Sequence, residues 1–316
     1  MVKVVVVGTD QTERIQAAWS GLKEAEVVGI ADSKAGLHEL LKDKEVDLVD
    51  IDSTVESPEE WIKLAAEAGK HVICDASGQL DSEAIREAAK FCEQQGVQLF
   101  LQTDTLRFLP DHTKAHEHVR KGAIGKPGVI RMRRSAPAPV VAGGDGCIFR
   151  ELGLAEFDWL RWTFGKVERV MARRVMHTDE SGHPLEYALV ILRHEDGTIA
   201  HVELSWAEKV ERAAFELAGD AGMIVHDSAD SQPIVWQSSK QQVQEQAASE
   251  AGRFAELAGV HRWQKNREHF VYSLSRKEPL GLSPEDVLEA LKIVQATRQS
   301  AESGQPVQLI DGGDSR

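Results

Sequence analysis

Alternation of short apolar runs with helical segments is the feature of the first third of the chain that most restricts its fold. The runs are VKVVVV (2–7), VVGIAD (27–32), VDLVDID (46–52), HVICDA (71–76) and VQLFLQT (97–103). Compact apolar runs are typical of strands that are buried on both faces of a sheet. Strands that are joined by crossover helices form a parallel sheet with helices on both sides. We therefore predict an α/β fold that begins with a Rossmann-type, doubly wound parallel sheet over residues 1–122.

The pattern changes beyond that point. GVIRMRR (128–134) begins a series of strand-like segments that are separated by turn signals such as Asp196-Gly197. A helix over 148–165, which ends at its glycine, interrupts the series. Strands joined by tight turns form an antiparallel meander. We predict that residues 123–316 form a C-terminal α+β domain with an open-faced, mostly antiparallel sheet.

The last helix carries a capping signal. SPED places Ser283 at the N-cap, Pro284 at the first helical position and Asp286 three residues after the serine. A serine hydroxyl at the N-cap bonds to the third backbone N–H, and an acidic side chain at that position bonds back. We predict that this helix begins at Pro284.

Charge and composition exclude several classes of function. The net charge is -14 and the pI is near 5.4, so the chain repels phosphate backbones, and RMRR (131–134) is too short to reverse this. No run approaches the roughly 20 apolar residues of a membrane span, and the N-terminus lacks the features of a signal peptide. The 3 cysteines are widely spaced, which fits neither a disulfide framework nor a zinc site. We expect a cytoplasmic protein with reduced thiols that binds neither nucleic acid nor a membrane.

Four stretches of the sequence carry a resemblance to a known family. They are EAGKHVICD (67–75), LRFLPDHTKAHEHVRKGAIGKPGVIRMRR (106–134), GGDGCIFRELGLAEFDWLRW (143–162) and REHFVYSLSRKEPLGLSPEDVLEALKIVQATRQSAESGQPVQL (267–309). In this order they resemble successive landmarks of the Gfo/Idh/MocA oxidoreductases, over nearly the whole chain. The resemblance implies a Rossmann domain, an open-faced sheet, and hydride transfer between NAD(P) and a sugar, polyol or related small molecule.

The turn after the first strand departs from a dinucleotide-binding fingerprint. Gly8 is present, but Asp10 and Glu13 stand where G-x-G-x-x-G has its second and third glycines. Those glycines let the backbone approach the pyrophosphate and let the helix pack closely on the strand. Either the site is weakened, or Asp10, Thr12 and Glu13 now cap the helix without a ligand. We expect NAD to be bound weakly or not at all.

Asp32 is the one clear cofactor feature that remains. It closes the second strand, where an acidic side chain accepts hydrogen bonds from the adenosine ribose and favours NAD over NADP. The alternative is that this aspartate merely begins a turn. The residues expected to contact a bound cofactor are Gly8, Thr9, Gln11, Thr12, Asp32, Ser53 and Asp75.

Two residues that the resemblance implies for catalysis are replaced in this chain. The resemblance implies a lysine in a Glu-Lys-Pro motif and a histidine in Asp-x-x-x-His-x-x-Asp, and these positions are Ala76 and Ala155. Glu151 and Asp158 stand at the two acidic positions of the second motif, so on one helix they share a face. We predict that these two carboxylates are the catalytic groups if the chain is an enzyme. The alternative is that they are solvated charges or an ion pair.

Two histidines that lie four residues apart on a helix can bind a metal ion together. His112 and His116 have this spacing, but no convincing third ligand lies nearby in the sequence. We expect no metal and interpret these histidines as part of a solvated helix face.

Two classes of function remain open. One is an NAD(P)-dependent oxidoreductase of sugars or polyols whose site is degenerate, and the other is a non-catalytic binding, regulatory or partner subunit that keeps the fold. Non-redox chemistry by the two carboxylates is a third, less supported alternative. In both main cases the ligand is a small molecule. Apolar residues on both faces of the strands over 185–193 and 199–206 predict a homodimer or homotetramer.

Overall fold

The computed structural model describes residues 1–8, 12–42, 45–52, 55–75, 80–137, 147–178, 184–228, 235–238, 242–244 and 258–309. The chain divides into two compact units. The first consists of Met1–Phe108 with Glu256–Leu288, and the second of Leu109–Ala255 with Glu289–Arg316.

The first unit contains a parallel sheet. Its strands are β1 (Val2–Val7), β2 (Ala25–Ala31), β3 (Leu48–Ile51), β4 (His71–Asp75) and β5 (Leu99–Gln102), in the order β2-β1-β3-β4-β5. All four neighbouring pairs are parallel, which confirms the Rossmann-type prediction. The inner strand β1 is fully buried from Val4 to Val7. The edge strand β2 instead leaves Val28 and Ile30 exposed, because an edge strand has a neighbour on one side only.

The helices follow the predicted alternation. They are α1 (Thr12–Trp19), α2 (Lys34–Leu41), α3 (Pro58–Glu67), α4 (Ser82–Gln94), α5 (Pro110–Arg120), α6 (Ile148–Glu151), α7 (Gly153–Phe164), α8 (Ala258–Arg276) and α9 (Pro284–Ser303). The capping box of α9 is confirmed: the backbone N–H of Asp286 donates to the Ser283 hydroxyl (3.2 Å), and the N–H of Ser283 donates to the Asp286 carboxylate (3.1 Å). None of the described helices combines the length and the apolar character that a membrane span requires.

The second unit contains a large mixed sheet. Its strands are β6 (Pro127–Pro137), β7 (Val167–Thr178), β8 (Pro184–His194), β9 (Ile199–Ser205), β10 (Ala207–Gly219), β11 (Gly222–Asp227), β12 (Val235–Ser238), β13 (Gln242–Gln244) and β14 (Val307–Gln308). They lie in the order β13-β12-β11-β10-β6-β9-β8-β7-β14. Strands β6 and β9 are parallel, and the other neighbouring pairs are antiparallel. The mostly antiparallel sheet is therefore confirmed.

One face of this sheet is covered and the other is open. Along β6, Ile130 and Met132 are buried, whereas Arg131 and Arg133 between them are exposed. Helices α6 and α7 contact β9 on the covered side. The single helix predicted over 148–165 is interrupted at Leu152, which separates α6 from α7, and it ends as predicted at Gly165, where φ is 91°.

The division into units differs from the predicted boundary after residue 122. Helix α5 belongs to the second unit, because the indole N–H of Trp159 donates to the carbonyl of His112 (3.2 Å) and His116 stacks on Trp162 with 3.4 Å between ring centroids. Helix α8 belongs to the first unit, where it packs against α1. These packing partners are remote in sequence, so local patterns did not indicate them.

Candidate functional site

Two loops flank the topological switch point of the parallel sheet. In the order β2-β1-β3-β4-β5, ligands bind outside the carboxyl ends of β1 and β3, because the chain leaves these neighbouring strands in opposite directions. Gly8 follows β1 and Asp52 follows β3. The backbone N–H of Asp52 donates to the carbonyl of Val7 (2.9 Å), which holds the two chain segments side by side.

The side chain of Asp52 packs directly on Gly8. A Cβ atom on Gly8 would lie 3.0 Å from the Cβ of Asp52 and 3.7 Å from its Oδ2. Asp52 is only 1% exposed. The glycine therefore leaves space for a neighbouring carboxylate, in the turn where a dinucleotide-binding protein places its pyrophosphate. Sequence reasoning missed this contact, because it depends on the pairing of β1 with β3.

Further carboxylates lie at the same edge of the sheet. Asp50 is in β3 and Asp75 ends β4, and both are buried. The pKa of the buried Cys74 thiol is raised well above its usual range, first by burial and then by the charges of Asp75, Asp50 and Asp52. All three carboxylates therefore favour the protonated form of the Cys74 thiol.

Asp32 lies where the sequence predicts it, immediately after β2, and it is exposed. The next residue, Ser33, caps α2 by accepting a hydrogen bond from the backbone N–H of Gly36 (3.2 Å). This leaves the Asp32 carboxylate at the end of the strand, as a ribose contact requires. Of the other predicted contacts, Thr9, Gln11 and Ser53 lie outside the described residues, as do Asp10 and Ala76, and Thr12 begins α1.

Two aspartates lie at strand ends where Rossmann folds bind a dinucleotide. Asp32 follows β2, where such folds place a ribose-binding carboxylate, and Asp52 brings a carboxylate to the Gly8 turn. A carboxylate about 5 Å from a phosphate charge costs about 3 kcal/mol at an effective dielectric constant near 20.

A buried arginine forms a hydrogen-bond network beneath this edge of the sheet. The Oδ2 atom of Asp50 accepts hydrogen bonds from Arg267 in α8 (2.8 Å to Nε and 2.7 Å to Nη2) and from the indole N–H of Trp19 in α1 (2.7 Å). Arg267 also donates to the side chain of Gln102 at the end of β5 (2.9 Å). This network fixes the end of α1, and therefore the direction of the helix that follows the Gly8 turn. Nothing local in the sequence pairs these residues.

Helices α6 and α7 in the second unit carry the predicted catalytic positions. Ala155, at the family's histidine position, is 4% exposed. Asp158 is 1% exposed, whereas Glu151, at the end of α6, is exposed. The two carboxylates therefore differ in their access to solvent, and catalysis by them remains a prediction.

The two histidines of α5 do not lie on a solvated face. His112 is 4% exposed and meets Trp159 and Phe215 edge to face, with centroid distances of 5.5 and 5.2 Å. His116 stacks on Trp162. The interpretation of a solvated face was wrong because α5 packs on α7. In the described part of the chain, no group of three or more His, Cys, Asp or Glu side chains could hold a metal ion.

Comparisons with known proteins agree with this fold. Residues 2–103 match the family model described as oxidoreductase family, NAD-binding Rossmann fold, and residues 112–225 match the GFO/IDH/MocA C-terminal domain. A D-apiose dehydrogenase of Paraburkholderia graminis is 25% identical, over 92% of this chain and 85% of its own length. A myo-inositol 2-dehydrogenase of Thermotoga maritima is 26% identical, over 90% of this chain and 86% of its own.

A solved structure supports the same assignment. An oxidoreductase from Agrobacterium radiobacter, crystallised with NAD+, L-tartaric acid and magnesium, superposes with a TM-score of 0.80 at 21% identity, covering 97% of this chain and 98% of the other. At this identity the superposition shows the fold. Together with the two family matches, it means that the chain belongs to the Gfo/Idh/MocA family of oxidoreductases.

Proposed function

We propose that this protein is a Gfo/Idh/MocA relative that binds a small polyhydroxylated molecule and has a degenerate dinucleotide site. NAD binds weakly or not at all, and hydride transfer on the family's usual substrates is weak or absent. The observation that carries the proposal is the carboxylate of Asp52 packed on Gly8 at the switch point of the sheet.

Charge is the first argument for a weakened site. Asp10 and Glu13 occupy two glycine positions of the fingerprint, and Asp52 adds a third carboxylate from a different strand. Each carboxylate near a pyrophosphate raises the free energy of the complex, and a buried one is poorly screened by salt. Asp32 supports binding at the ribose end, so the expected outcome is low affinity with a preference for NAD over NADP.

Chemistry is the second argument. Alanine at positions 76 and 155 supplies neither a cation that stabilises a developing alkoxide nor a base that accepts the hydroxyl proton. General acid–base assistance is typically worth about 10²–10⁴ in rate.

The ligand class follows from the relatives. The two relatives above are named as dehydrogenases of D-apiose and myo-inositol, which are polyhydroxylated small molecules. We infer a ligand of the same class for this chain. A non-catalytic binding or partner subunit is the second candidate, and it is favoured by the loss of both proton-transfer residues together with the added charge at Gly8.

The open face of the second unit's sheet supports a homo-oligomer. Val175, Tyr187 and Leu189 are 50%, 49% and 46% exposed on neighbouring strands β7 and β8. Arg131 pairs with Glu216 on the same face (2.9 Å), so the surface carries both signs of charge beside apolar side chains. Such a surface suits a second copy of itself, and we propose a homodimer or homotetramer formed through it.

Calorimetric titration with NAD tests the proposal. We expect the wild-type protein to bind more weakly than about 100 μM, and Asp52→Ala to tighten binding by about tenfold because one buried charge is removed. Glu26→Gln is the matched control, because Glu26 lies at the amino end of β2, on the opposite edge of the same sheet. Tight binding of NAD by the wild-type protein would contradict the proposal.

A further inference from the structure

A buried arginine in the second unit is held by two carboxylates. Arg134, in β6, donates from Nη1 to Glu156 of α7 (3.3 Å) and from Nη2 to Glu211 of β10 (2.6 Å). The side chains of Arg134 and Glu156 are 5% and 2% exposed, whereas that of Glu211 is 25% exposed. Glu156 is therefore the buried partner of the arginine, and Glu211 is the partner that is partly exposed to solvent.

Arg134 has a donor that these two bonds do not use. Its Nε is buried and has no hydrogen-bond acceptor among the described residues. Nε and Nη2 form one edge of the guanidinium, and a carboxylate can accept from both at once in two parallel bonds. Glu211 accepts at Nη2, one of the two nitrogens of this edge, and the edge as a whole is suited to a carboxylate in a bidentate arrangement.

The pairing of β10 with β6 is irregular around Glu211. In the pairing of β10 with β6, Ala207 is opposite Pro137 and Arg212 is opposite Ser135, so the four residues Glu208–Glu211 face only Ala136. Bulges of this kind redirect side chains and release them from the regular ladder, and they are frequent beside functional sites. Glu211 is the last residue of this bulge, immediately before Arg212, where the regular pairing with β6 resumes.

We propose that Arg134 is a receptor for the carboxylate of an acidic small molecule, such as a sugar acid or hydroxy acid, and that Glu211 occupies this position in the free protein. The ligand carboxylate replaces that of Glu211, accepts from Nε and Nη2 together, and leaves Glu156 on Nη1. The number of charges around Arg134 is unchanged by the exchange, while Glu211 regains its hydration.

This inference deepens the proposed function by naming an acidic member of the polyhydroxylated ligand class. It depends on residues of the second unit alone. Binding is therefore measured without NAD, so that a failure of this site and a failure of the dinucleotide proposal give different results.

The test compares D-gluconate with D-glucitol, which has a hydroxymethyl group in place of the carboxylate. Calorimetry at fixed ionic strength is carried out on the wild-type protein and on Glu211→Gln. Because the variant lacks the competing carboxylate, we expect it to bind gluconate about tenfold more tightly, with no change for glucitol.

Glu208→Gln is the matched control. It removes the same charge from the same bulge, but Glu208 is exposed and lies near Arg133 (3.8 Å) on the open face. We expect wild-type affinity for gluconate from this variant. An equal gain in both variants would mean a general charge effect and would overturn the proposal, as would equal binding of gluconate and glucitol by Glu211→Gln.

Removal of the arginine completes the test. Arg134→Met with Glu156→Gln avoids leaving a buried carboxylate without its partner. We expect this double variant to lose the preference for gluconate. Retention of the preference by a folded double variant would also overturn the proposal, and the gain expected from Glu211→Gln does not depend on whether the double variant folds.

Discussion

Arg267 and Asp50 form a salt bridge inside the first unit, with 2.7 Å between Nη2 and Oδ2 and with both side chains 2% exposed. The guanidinium also lies over the rings of Trp19 and Trp263, at 5.5 and 5.2 Å from their centroids. Cation–π contacts of this kind are strongest where water is excluded. One buried charge pair thus joins α8 to α1 and to the centre of the parallel sheet.

Breaking this pair should destabilise the protein strongly. Arg267→Met leaves Asp50 buried without its cation, which typically costs about 3–5 kcal/mol of unfolding free energy. Asp50→Val combined with Arg267→Met should recover most of the loss, because a buried apolar pair replaces a buried ion pair. Urea denaturation measures both. Arg86→Met, which removes an exposed pair with Glu83, should change stability by less than about 1 kcal/mol.

Stability should fall when the pH is lowered through the histidine range. Burial lowers the pKa of His194 and of His269 below their usual value. His269 accepts a hydrogen bond from the backbone N–H of Gly281 (3.0 Å), and a protonated ring loses that bond.

The sign of the pH effect follows from these lowered pKa values. The unfolded chain takes up protons near pH 6.5, before the folded protein does. The stabilisation that the two neutral histidines provide is therefore present above about pH 6.5. It is lost as the pH falls through the lower pKa values of the folded protein. Urea midpoints at pH 7.5 and 5.5 measure it, and His269→Gln should reduce the difference. An unchanged midpoint between the two pH values would contradict this assignment.

Removing the two charges of the Gly8 turn should strengthen NAD binding. Asp10→Gly with Glu13→Gly restores the glycine fingerprint, so we expect at least about a tenfold gain in affinity. The gain should be larger at low salt, because the repulsion between charges is screened at high ionic strength. Calorimetry at two salt concentrations measures both effects. A gain that does not depend on salt would point to backbone fit instead of charge.

Restoring the lysine and the histidine that the family uses should restore hydride-transfer activity. A panel of sugars and polyols with NAD or NADP should give little turnover with the wild-type protein. Ala76→Lys combined with Ala155→His should raise the rate, since a general base alone typically contributes about 10²–10⁴. Absorbance of NADH at saturating cofactor measures the rate. Family-level turnover by the wild-type protein would reveal a substitute base, for which Glu151 and Asp158 are the predicted candidates.

Disrupting the open sheet face should separate the subunits. Leu189→Glu places a charge in the apolar part of that face, and we expect a monomer in light scattering at micromolar concentration. Val28→Glu is the control, because Val28 is comparably exposed (41% against 46%) but lies on the edge strand of the other unit. A wild-type protein that is already monomeric would remove the oligomer proposal.

Local signals predicted local structure well. The capping box at Ser283 and the helix end at Gly165 were recognised because a few adjacent residues determine them. The parallel sheet and the open-faced sheet were predicted from hydrophobic patterns that repeat over many residues.

Contacts between distant residues were not predictable in this way. Asp52 looked like part of an apolar strand until the pairing of β1 with β3 placed it on Gly8. Glu151 and Asp158 are correctly spaced for one helical face, but Leu152 interrupts the helix between them and one side chain is buried while the other is exposed. Tertiary packing decides such cases.

Because α8 packs on the first unit, one partner of the buried salt bridge is synthesised long before the other. Asp50 leaves the ribosome 217 residues before Arg267, which is about 10 to 40 seconds at the usual rates of translation. During this interval the synthesised part of the chain contains Asp50 but not the guanidinium that pairs with it in the complete protein. The parallel sheet is therefore synthesised before α8, and the charge of Asp50 is balanced by Arg267 only after α8 has been made.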